Sequence, residues 1–409
     1  MHTGLQEKIN GKADHSGQAA EEEIRKNVPV FGYQGENFFI HTLSSVLFSK
    51  LYHRKCKSAS FFPNSGQTIL SANEFTGGNF LKVAFFDAKS YDKPGFDHYA
   101  ATAGIEIKYL ETKLDEDTVS LAAGFEAVCV FVNDTVNAAV VEKLHALGVK
   151  VIALRCAGFN NVDMSACRGK LRVFRVPAYS PHAVAEYAMA MLLTINRRTH
   201  KAYIRTRDFN FSLRGMVGFD LYGKTVGVIG TGKIGRPFAE ICQGFGMHVL
   251  AYDKIPDNGT GLHYVSLPEI FRESDIISLH CPLTPETRHL INADSISLMK
   301  KGVTILNTSR GALVNTEDLI AGIKEKQVGA ACLDVYEEES DIFYEDRSGH
   351  ILQDDKLVRL ISMPNVLVTS HQAYLTNEAL DNIAAITVGN LQKFFAGTPD
   401  ETTEVIYRQ

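Results

Sequence analysis

A short apolar strand that runs straight into a glycine-rich turn constrains this chain more than any other feature. The strand is predicted at 225–229, and the sequence Gly-Thr-Gly-Lys-Ile-Gly follows at 230–235, with a helix predicted to begin near its end. Gly230 permits a tight turn, Gly232 leaves room for a pyrophosphate, and Gly235 lets the helix pack closely on the strand. The free amide N–H groups at the start of that helix would face the phosphates of a dinucleotide.

A second predicted strand ends in an acidic residue where a dinucleotide site needs one. The strand at 248–252 precedes Asp253, which lies eighteen residues after Gly235. A carboxylate there accepts hydrogen bonds from the adenosine ribose and repels a 2′-phosphate, which favours NAD over NADP. The alternative is a glycine turn with a structural role and no nucleotide.

Size and composition exclude several classes of function. The 409 residues suffice for two domains with substantial cores, and a net charge of −5 gives no reason to expect nucleic acid as a partner. No window reaches the length of a membrane-spanning apolar helix, and the first residues resemble no secretory signal, so we predict no membrane partner. The seven cysteines are scattered, without metal-ligand spacing, which predicts reduced thiols, a cytoplasmic location and no metal. Cys156 and Cys281 fall near the expected cleft, where core packing is favoured over reactivity.

Short strands that alternate with helical segments predict an α/β fold with two doubly wound parallel sheets. The first is a flavodoxin-like sheet with strands at 81–87, 105–110, 128–132, 149–154 and 172–176. The second is a Rossmann sheet with six strands, at 225–229, 248–252, 276–279, 303–306, 330–333 and 366–369. Long helices are predicted at 183–198 and 377–395, and the second of these returns to the first domain.

These segments predict a substrate domain and an NAD-binding domain. The substrate domain comprises residues 81–180 plus 373–409, and the NAD-binding Rossmann domain comprises 181–372. Residues 1–80 are polar and without periodicity, which predicts a poorly ordered N-terminal extension. An apolar stretch at 38–51 before a basic run at 53–57 leaves open an amphipathic anchor on a membrane or partner.

Three polar residues follow successive strands of the second predicted sheet, and we expect them to meet beside the nicotinamide. They are Arg310, Glu339 and His371. In a doubly wound sheet the carboxyl ends of the strands line the ligand cleft. Hydride transfer to a 2-keto acid needs a cation for the carboxylate and carbonyl, and the guanidinium of Arg310 suits that task. It also needs a proton donor, His371, and a carboxylate, Glu339, that favours the protonated imidazole.

Each of these residues has a structural alternative. Arg310 could cap a strand–loop junction, and His371 alone could be an ordinary hydrogen-bonded histidine. Glu339 is one of three consecutive glutamates, and spacing alone favours it over Glu337 and Glu338. The prediction therefore depends on all three residues following strands of one sheet.

The other end of the substrate needs donors for its carboxylate. The backbone N–H groups of Ala157 and Gly158 follow a strand of the first sheet and could hold an anion as a nest does. Tyr179, in the crossing between the domains, could add a hydroxyl. Ordinary turn chemistry remains the alternative for both.

Motif after motif, in order, resembles the D-isomer-specific 2-hydroxyacid dehydrogenases across about residues 81–409. The matching runs are ALRCAGFNNVD (153–163), VPAYSPHAVAEYA (176–188), NRRTHKAYIRTRDFNFSL (196–213), YGKTVGVIGTGKIG (222–235), SDIISLHCPLTPET (274–287), ILNTSRGALV (305–314), LDVYEEE (333–339) and TSHQAY (369–374). The family's catalytic Arg, Glu and His then correspond to Arg310, Glu339 and His371. The resemblance further implies that Tyr179 and the 157–158 amides hold the substrate carboxylate.

The resemblance also implies roles for residues that the spacing of the motifs alone does not single out. Asp334 would support the catalytic group, and Tyr374 would shape the substrate pocket, although phenylalanine is common there in close relatives. Besides the glycines, the implied contacts to NAD are Lys233, Ile234, Asp253, Cys281, Pro282, Asn307, Thr308 and Asp334.

The long segment after Glu339, about 340–361, resembles the bacterial fermentative D-lactate branch of the family. That branch implies reversible hydride transfer between NADH and pyruvate, which yields D-lactate, and a homodimer or homotetramer that associates through nucleotide-domain helices such as 183–193. A bulkier 2-keto acid, such as phenylpyruvate or 2-ketoisocaproate, is the alternative substrate. An NAD-gated binding protein of the corepressor kind is the alternative class.

Overall fold

The computed structural model describes residues 80–406 of the chain. The predicted N-terminal extension lies outside the described residues, as do its apolar stretch at 38–51 and its basic run at 53–57. Within residues 80–406, no helix is both long enough and apolar enough to cross a membrane.

The first sheet has five parallel strands and the flavodoxin-like order, as predicted. In chain order the strands are β1 Leu81–Phe85, β2 Ile105–Tyr109, β3 Ala127–Val130, β4 Val151–Leu154 and β5 Arg172–Phe174. Their spatial order is β2-β1-β3-β4-β5. Every residue of β3 and β4 is buried, because helices cover both faces of the sheet, and this burial explains why these strands are continuous apolar runs.

The second sheet has the Rossmann order, but with seven parallel strands rather than six. The strands are β6 Thr225–Ile229, β7 His248–Tyr252, β8 His263–Tyr264, β9 Ile276–Leu279, β10 Val303–Asn307, β11 Val328–Leu333 and β12 Val366–Val368. Their order is β12-β11-β10-β9-β6-β7-β8. The prediction missed β8 because this edge strand has two residues, neither of them buried, and so leaves no apolar run in the sequence. The other strands of both sheets begin and end within two residues of the predicted positions.

Helices cover the two sheets and carry the usual end signals. They are α1 Lys93–Ala103, α2 Ala138–Ala146, α3 Met164–Cys167, α4 Pro181–Arg197, α5 Thr199–Arg207, α6 Gly235–Gly244, α7 Leu267–Glu273, α8 Ala293–Leu298, α9 Thr316–Lys324, α10 Asp355–Ser362 and α11 Asn377–Phe395. The long helix α4 starts with a proline, and the Ser180 hydroxyl caps it by accepting from the N–H of Ala183. The last helix, α11, packs against α1, where the Tyr99 hydroxyl donates to Asp381 at 3.0 Å.

The apolar face of α4 is buried inside the chain rather than left free for a second subunit. Ala188 and Leu192 pack with Val228 and Phe238 in a core beneath the second sheet. Large apolar side chains are instead exposed in the segment that follows, notably Tyr203, Phe209, Phe211, Leu213, Val217 and Tyr222. The apolar face of 183–193, which was expected to contact a second subunit, is therefore not exposed.

In the glycine turn between β6 and α6, neighbouring backbone atoms leave no room for a side chain at two positions. Gly230 has a φ of 91°, and a Cβ on it would lie 2.6 Å from the backbone nitrogen of Cys281. A Cβ on Gly235 would lie 1.9 Å from the carbonyl oxygen of Gly230. A Cβ on Gly232 would meet no heavy atom within 4 Å, so this position is open toward the space in front of the turn.

We predict that Gly235→Ala destabilises the protein by at least about 2 kcal/mol, because the added methyl group overlaps the turn backbone. Gly232→Ala is the matched control and should leave the free energy of unfolding within about 0.5 kcal/mol of wild type. Urea denaturation of both variants measures the difference. Equal stability of the two variants would contradict the close approach of α6 to the turn.

Candidate active site

The imidazole of His371 and the carboxylate of Glu339 form a hydrogen-bonded pair. Nδ1 of His371 lies 2.8 Å from Oε1 of Glu339, and Oε2 of Glu339 accepts from the N–H of Tyr336 at 2.8 Å. Within the described residues no group hydrogen-bonds Nε2 of His371. The carboxylate therefore fixes the ring and leaves Nε2 as the nitrogen free to meet a ligand.

The structure gives a physical reason to distinguish Glu339 from Glu337 and Glu338. The spacing along the sequence gave none. Glu337 accepts from Nε2 of His289 at 2.6 Å and from the Thr316 hydroxyl at 3.0 Å. Although partial burial alone would raise the pKa of Glu337, these hydrogen bonds lower it below the ordinary value. Glu338 is exposed. Among the three, only Glu339 reaches His371.

The buried carboxylate of Asp334 holds the loop that carries the histidine. Its Oδ1 accepts from the Thr369 hydroxyl at 2.6 Å and from the N–H of Gln372 at 3.0 Å, and Oδ2 accepts from the N–H of Ala373 at 2.8 Å. The backbone oxygen of Asp334 also accepts from the N–H of His371 at 2.6 Å. Burial raises the pKa of Asp334, against the effect of these hydrogen bonds. Asp334 therefore binds the loop of His371 directly, through three side-chain hydrogen bonds and one backbone hydrogen bond.

Arg310 follows β10 in a tight turn that Asn307 closes. The amide of Asn307 donates to the Arg310 carbonyl at 2.9 Å, and its oxygen accepts from the N–H of Ser309 at 3.1 Å. Gly311 comes next, and a Cβ on it would lie 2.0 Å from the carbonyl oxygen of Tyr336. The turn therefore lies directly against the loop that bears Glu339. A Cβ on Gly158 would lie 3.4 Å from Nη2 of Arg310, so the guanidinium reaches the first sheet.

The three predicted catalytic residues line one cavity of about 390 Å³. The same cavity is lined by all the other predicted substrate residues, namely Ala157, Gly158, Tyr179 and Tyr374. Burial raises the pKa of Tyr179 to about 12, so its hydroxyl is a neutral donor near pH 7. Sequence reasoning missed two aromatic residues in this wall, Phe131 and Tyr344. Phe131 continues the apolar run of β3, and Tyr344 lies in the long segment after Glu339, so neither carries a polar motif.

A smaller cavity of about 60 Å³ connects these residues with the glycine turn. It is lined by Ile234 and Thr308 together with Arg310 and His371. The Thr308 hydroxyl oxygen is buried and has no hydrogen-bond partner among the described residues, as expected of a group that awaits a ligand. The donor set, the open Gly232 and this hydroxyl fit a dinucleotide laid from the turn toward His371.

The remaining predicted cofactor residues flank the turn. Asp253 accepts from the N–H of Thr231 at 2.7 Å and from the N–H of Ile255 at 3.0 Å, so its carboxylate is fixed beside the turn. Lys233 is exposed at the turn. The Cys281 carbonyl accepts from the Ser309 hydroxyl at 2.7 Å, and the Pro282 carbonyl accepts from the Thr287 hydroxyl at the same distance.

The cysteines near the cleft are packed in the core, as favoured from the sequence. Burial raises the pKa of the Cys156 thiol to about 12 and that of the Cys281 thiol to about 11, so neither is a thiolate near pH 7. Among residues 80–406, no three His, Cys, Asp or Glu side chains are grouped so that they could hold a metal ion.

Comparison with known proteins identifies similar chains. A family model described as D-isomer specific 2-hydroxyacid dehydrogenase, NAD binding domain, matches residues 189–373. The D-lactate dehydrogenase of Escherichia coli (strain K12) is 51% identical over 321 residues, which cover 78% of this chain and 98% of that protein. The apo structure of the Escherichia coli D-lactate dehydrogenase matches with a TM-score of 0.73 at 48% identity, covering 80% of this chain and 100% of that one. The Aquifex aeolicus D-lactate dehydrogenase complexed with NAD and lactic acid matches with a TM-score of 0.69 at 33% identity, with the same coverages.

The lowered pKa of Glu337 makes its contribution to the stability of the fold depend on pH. Because the folded-state pKa of Glu337 is lowered, its contribution to stability is present above the ordinary value of 4.5 and is lost as the pH falls through the folded value. We expect Glu337→Gln to cost about 1 kcal/mol of unfolding free energy at pH 7 and less as the pH falls below 4.5. Urea denaturation between pH 7 and about pH 3.5 measures this trend.

The exposed neighbour provides the control for that measurement. Glu338→Gln should change the free energy of unfolding by less than about 0.5 kcal/mol at any of these pH values. A cost for Glu337→Gln that does not vary with pH would refute the lowered pKa.

Proposed function

The chain belongs to the D-isomer-specific 2-hydroxyacid dehydrogenases, and from that premise we propose that it is an NAD-dependent D-lactate dehydrogenase. It would transfer hydride reversibly between NADH and pyruvate. The observation that carries the proposal is the 2.8 Å contact between His371 and Glu339 in a cavity that Arg310 also lines. This arrangement combines a proton donor, its carboxylate partner and a fixed cation for the substrate.

In this proposal His371 is the acid in reduction and the base in oxidation. NADH, when bound, supplies the hydride that adds to C2 of the keto acid. His371 donates a proton from Nε2 to the alkoxide oxygen that forms, while Glu339 stabilises the imidazolium through Nδ1. In the reverse reaction Nε2 takes the hydroxyl proton.

Arg310 would anchor the substrate and polarise its carbonyl group. A guanidinium stays charged and binds a carboxylate through two parallel hydrogen bonds. The N–H groups of Ala157 and Gly158 and the hydroxyl of Tyr179 supply further donors on the same cavity wall. Substrate thus lies between a cation from the second sheet and donors from the first, and Tyr374 limits the space for its side chain.

The glycine turn and its neighbours would hold NAD. Gly230, Gly232 and Gly235 would shape the phosphate site, together with Lys233 and Ile234, and Asp253 would accept hydrogen bonds from the adenosine ribose. The nicotinamide end is assigned to the loops after β9, β10 and β11, with contacts from Cys281, Pro282, Asn307, Thr308 and Asp334. The buried unpartnered Thr308 hydroxyl is the strongest support on that side.

The chain would comprise two domains, 81–180 plus 373–409 for substrate and 181–372 for NAD, and these would close on the ligands and exclude water. The packing of α11 on α1 supports the return of the chain to the first domain. We also propose a cytoplasmic homo-oligomer, a dimer or a tetramer. The exposed apolar side chains between Tyr203 and Tyr222 support association better than the buried face of α4 does.

We predict that His371→Gln and Arg310→Gln each lower pyruvate reduction by about a hundredfold or more, because each removes a group that contacts the reacting atoms. His289→Gln is the matched control, since His289 pairs with Glu337 and lies outside both cavities. NADH oxidation with pyruvate measures the rates, and chiral analysis should find D-lactate. Phenylpyruvate and 2-ketoisocaproate should be poorer substrates. Near-normal turnover in either of the first two variants would refute the assignment.

We further predict that Asp253→Asn lowers the preference for NADH over NADPH by about tenfold or more, because the amide no longer repels a 2′-phosphate. Asp275→Asn is a suitable control, since Asp275 accepts from the N–H of Thr225 at the opposite end of β6. Steady-state kinetics with both cofactors measures the ratio. An unchanged ratio would mean that Asp253 does not face the ribose.

A further inference from the structure

A short segment after Glu339, Ile342 to Glu345, connects the cores of the two sheets, and we call it the strap. Phe343 is buried in the core of the second sheet, where Ile342 also packs. Tyr344 packs against the cores of both sheets. The strap leaves the loop that bears Glu339 and lies along the wall of the 390 Å³ cavity, which Tyr344 lines.

The strap is attached to loops of the first sheet by polar contacts. The amide of Asn133 donates to the Phe343 carbonyl at 3.2 Å. Nζ of Lys113 lies 3.1 Å from the Glu345 carboxylate, and Nζ of Lys89 lies 4.0 Å from it. Both lysines and the glutamate are about 70–80% buried, so these ion pairs are less screened than fully exposed ones.

The ring of Tyr344 joins the first sheet to the histidine. It packs edge-on against Phe131, with ring centroids 5.3 Å apart. Its hydroxyl donates to the backbone oxygen of His371 at 3.0 Å. Burial, with smaller effects from Tyr374 and Glu339, raises the pKa of Tyr344, so the hydroxyl stays protonated and remains a donor near pH 7.

His371 needs such an anchor because its backbone conformation is unfavourable. Its φ of 52° lies in the left-handed region, which costs a non-glycine residue of order 1 kcal/mol or more. Its N–H donates to Asp334, and its imidazole pairs with Glu339; both partners come from the loop after β11. Its carbonyl is held by Tyr344, which also contacts the first sheet.

We propose that Tyr344 is a positioning residue for His371, and that the strap makes the placement of the histidine depend on the contact between the two sheets. This inference rests on the proposed function of His371 as acid and base. When the loops of the first sheet hold the strap, the Tyr344 hydroxyl holds the His371 carbonyl, and Nε2 is directed into the cavity. When the sheets separate, the histidine loses this anchor. Proton transfer is then available only in the closed arrangement.

The test compares Tyr344→Phe with wild type. The variant keeps the ring on Phe131 and removes the hydroxyl, so kcat for pyruvate reduction should fall about ten- to hundredfold, with the KM for pyruvate and the Kd for NADH within about twofold of wild type. Tyr109→Phe is the matched control, since it removes a tyrosine hydrogen bond of 2.8 Å to Asp97 away from the cavity. Wild-type kcat in Tyr344→Phe, or an equal loss in both variants, overturns the proposal.

A double variant separates positioning from general damage. If Tyr344 acts through the pair of His371 and Glu339, adding Tyr344→Phe to Glu339→Gln should lower kcat by less than about threefold further. A loss as large as in the wild-type background overturns the proposal.

A readout independent of turnover keeps this inference distinct from the proposed function. The ring ¹⁵N signals of His371, identified by their absence in His371→Gln, should change in Tyr344→Phe and stay unchanged in Tyr109→Phe. If wild type reduces no 2-keto acid, the proposed function fails, while the signals still show whether Tyr344 positions the ring. Unchanged signals in Tyr344→Phe overturn the inference even if the enzyme is active.

The strap itself is tested by Glu345→Gln, which removes the ion pair with Lys113. We expect kcat to fall about two- to fivefold at low salt, and about 1 M salt should reduce the difference, although less than it would for a fully exposed pair. Glu142→Gln, which breaks an ion pair with Lys170 between α2 and the loop before β5, is the control and should leave kcat unchanged. No salt-dependent difference for Glu345→Gln would overturn the coupling to the first sheet.

Discussion

The site depends on one buried carboxylate that joins two loops of the second sheet. Asp334 leaves β11 and binds the loop after β12 through both of its side-chain oxygens and through its backbone oxygen. This attachment sets His371 opposite Glu339, five residues further along the loop from β11. Without it, among the described residues, His371 would keep only the contact between its imidazole and Glu339 and the hydrogen bond from Tyr344 to its carbonyl.

The sequence predicted the sheets well, because parallel strands that are covered on both faces consist of continuous runs of apolar residues. It predicted the order of strands in the first sheet. It also predicted the glycine turn in detail, because a side chain at Gly230 or Gly235 would clash with the backbone, and the glycine motif reflects this steric requirement. It failed at β8, where two partly exposed edge residues leave no periodic pattern. It also treated the face of α4 as a contact surface, because apolar periodicity does not say which partner covers a helix.

The polar residues of the candidate site were predictable, and the resemblance implied the support from Asp334, but the contacts of Tyr344 were not predictable. Arg310, Glu339 and His371 follow strand ends, and the parallel topology brings such ends to one edge. The choice of Glu339 over its two neighbours rested on spacing. The physical reason for that choice appears only in the structure, where the Glu337 carboxylate is hydrogen-bonded to His289 and Thr316. Tyr344 gave no signal, because its contacts with Phe131 and His371 are long-range and depend on the path of an irregular segment.

Gly311 has a consequence for what variation the cleft can tolerate. Its α-carbon lies so close to the Tyr336 carbonyl that even a methyl group would displace one loop from the other. The arginine and the glutamate are thus mounted on backbones in direct contact, with no side chain between them as a spacer. A shift of either loop therefore displaces the other, so the size of the cavity is set by the side chains on its other walls rather than by the distance between these two loops.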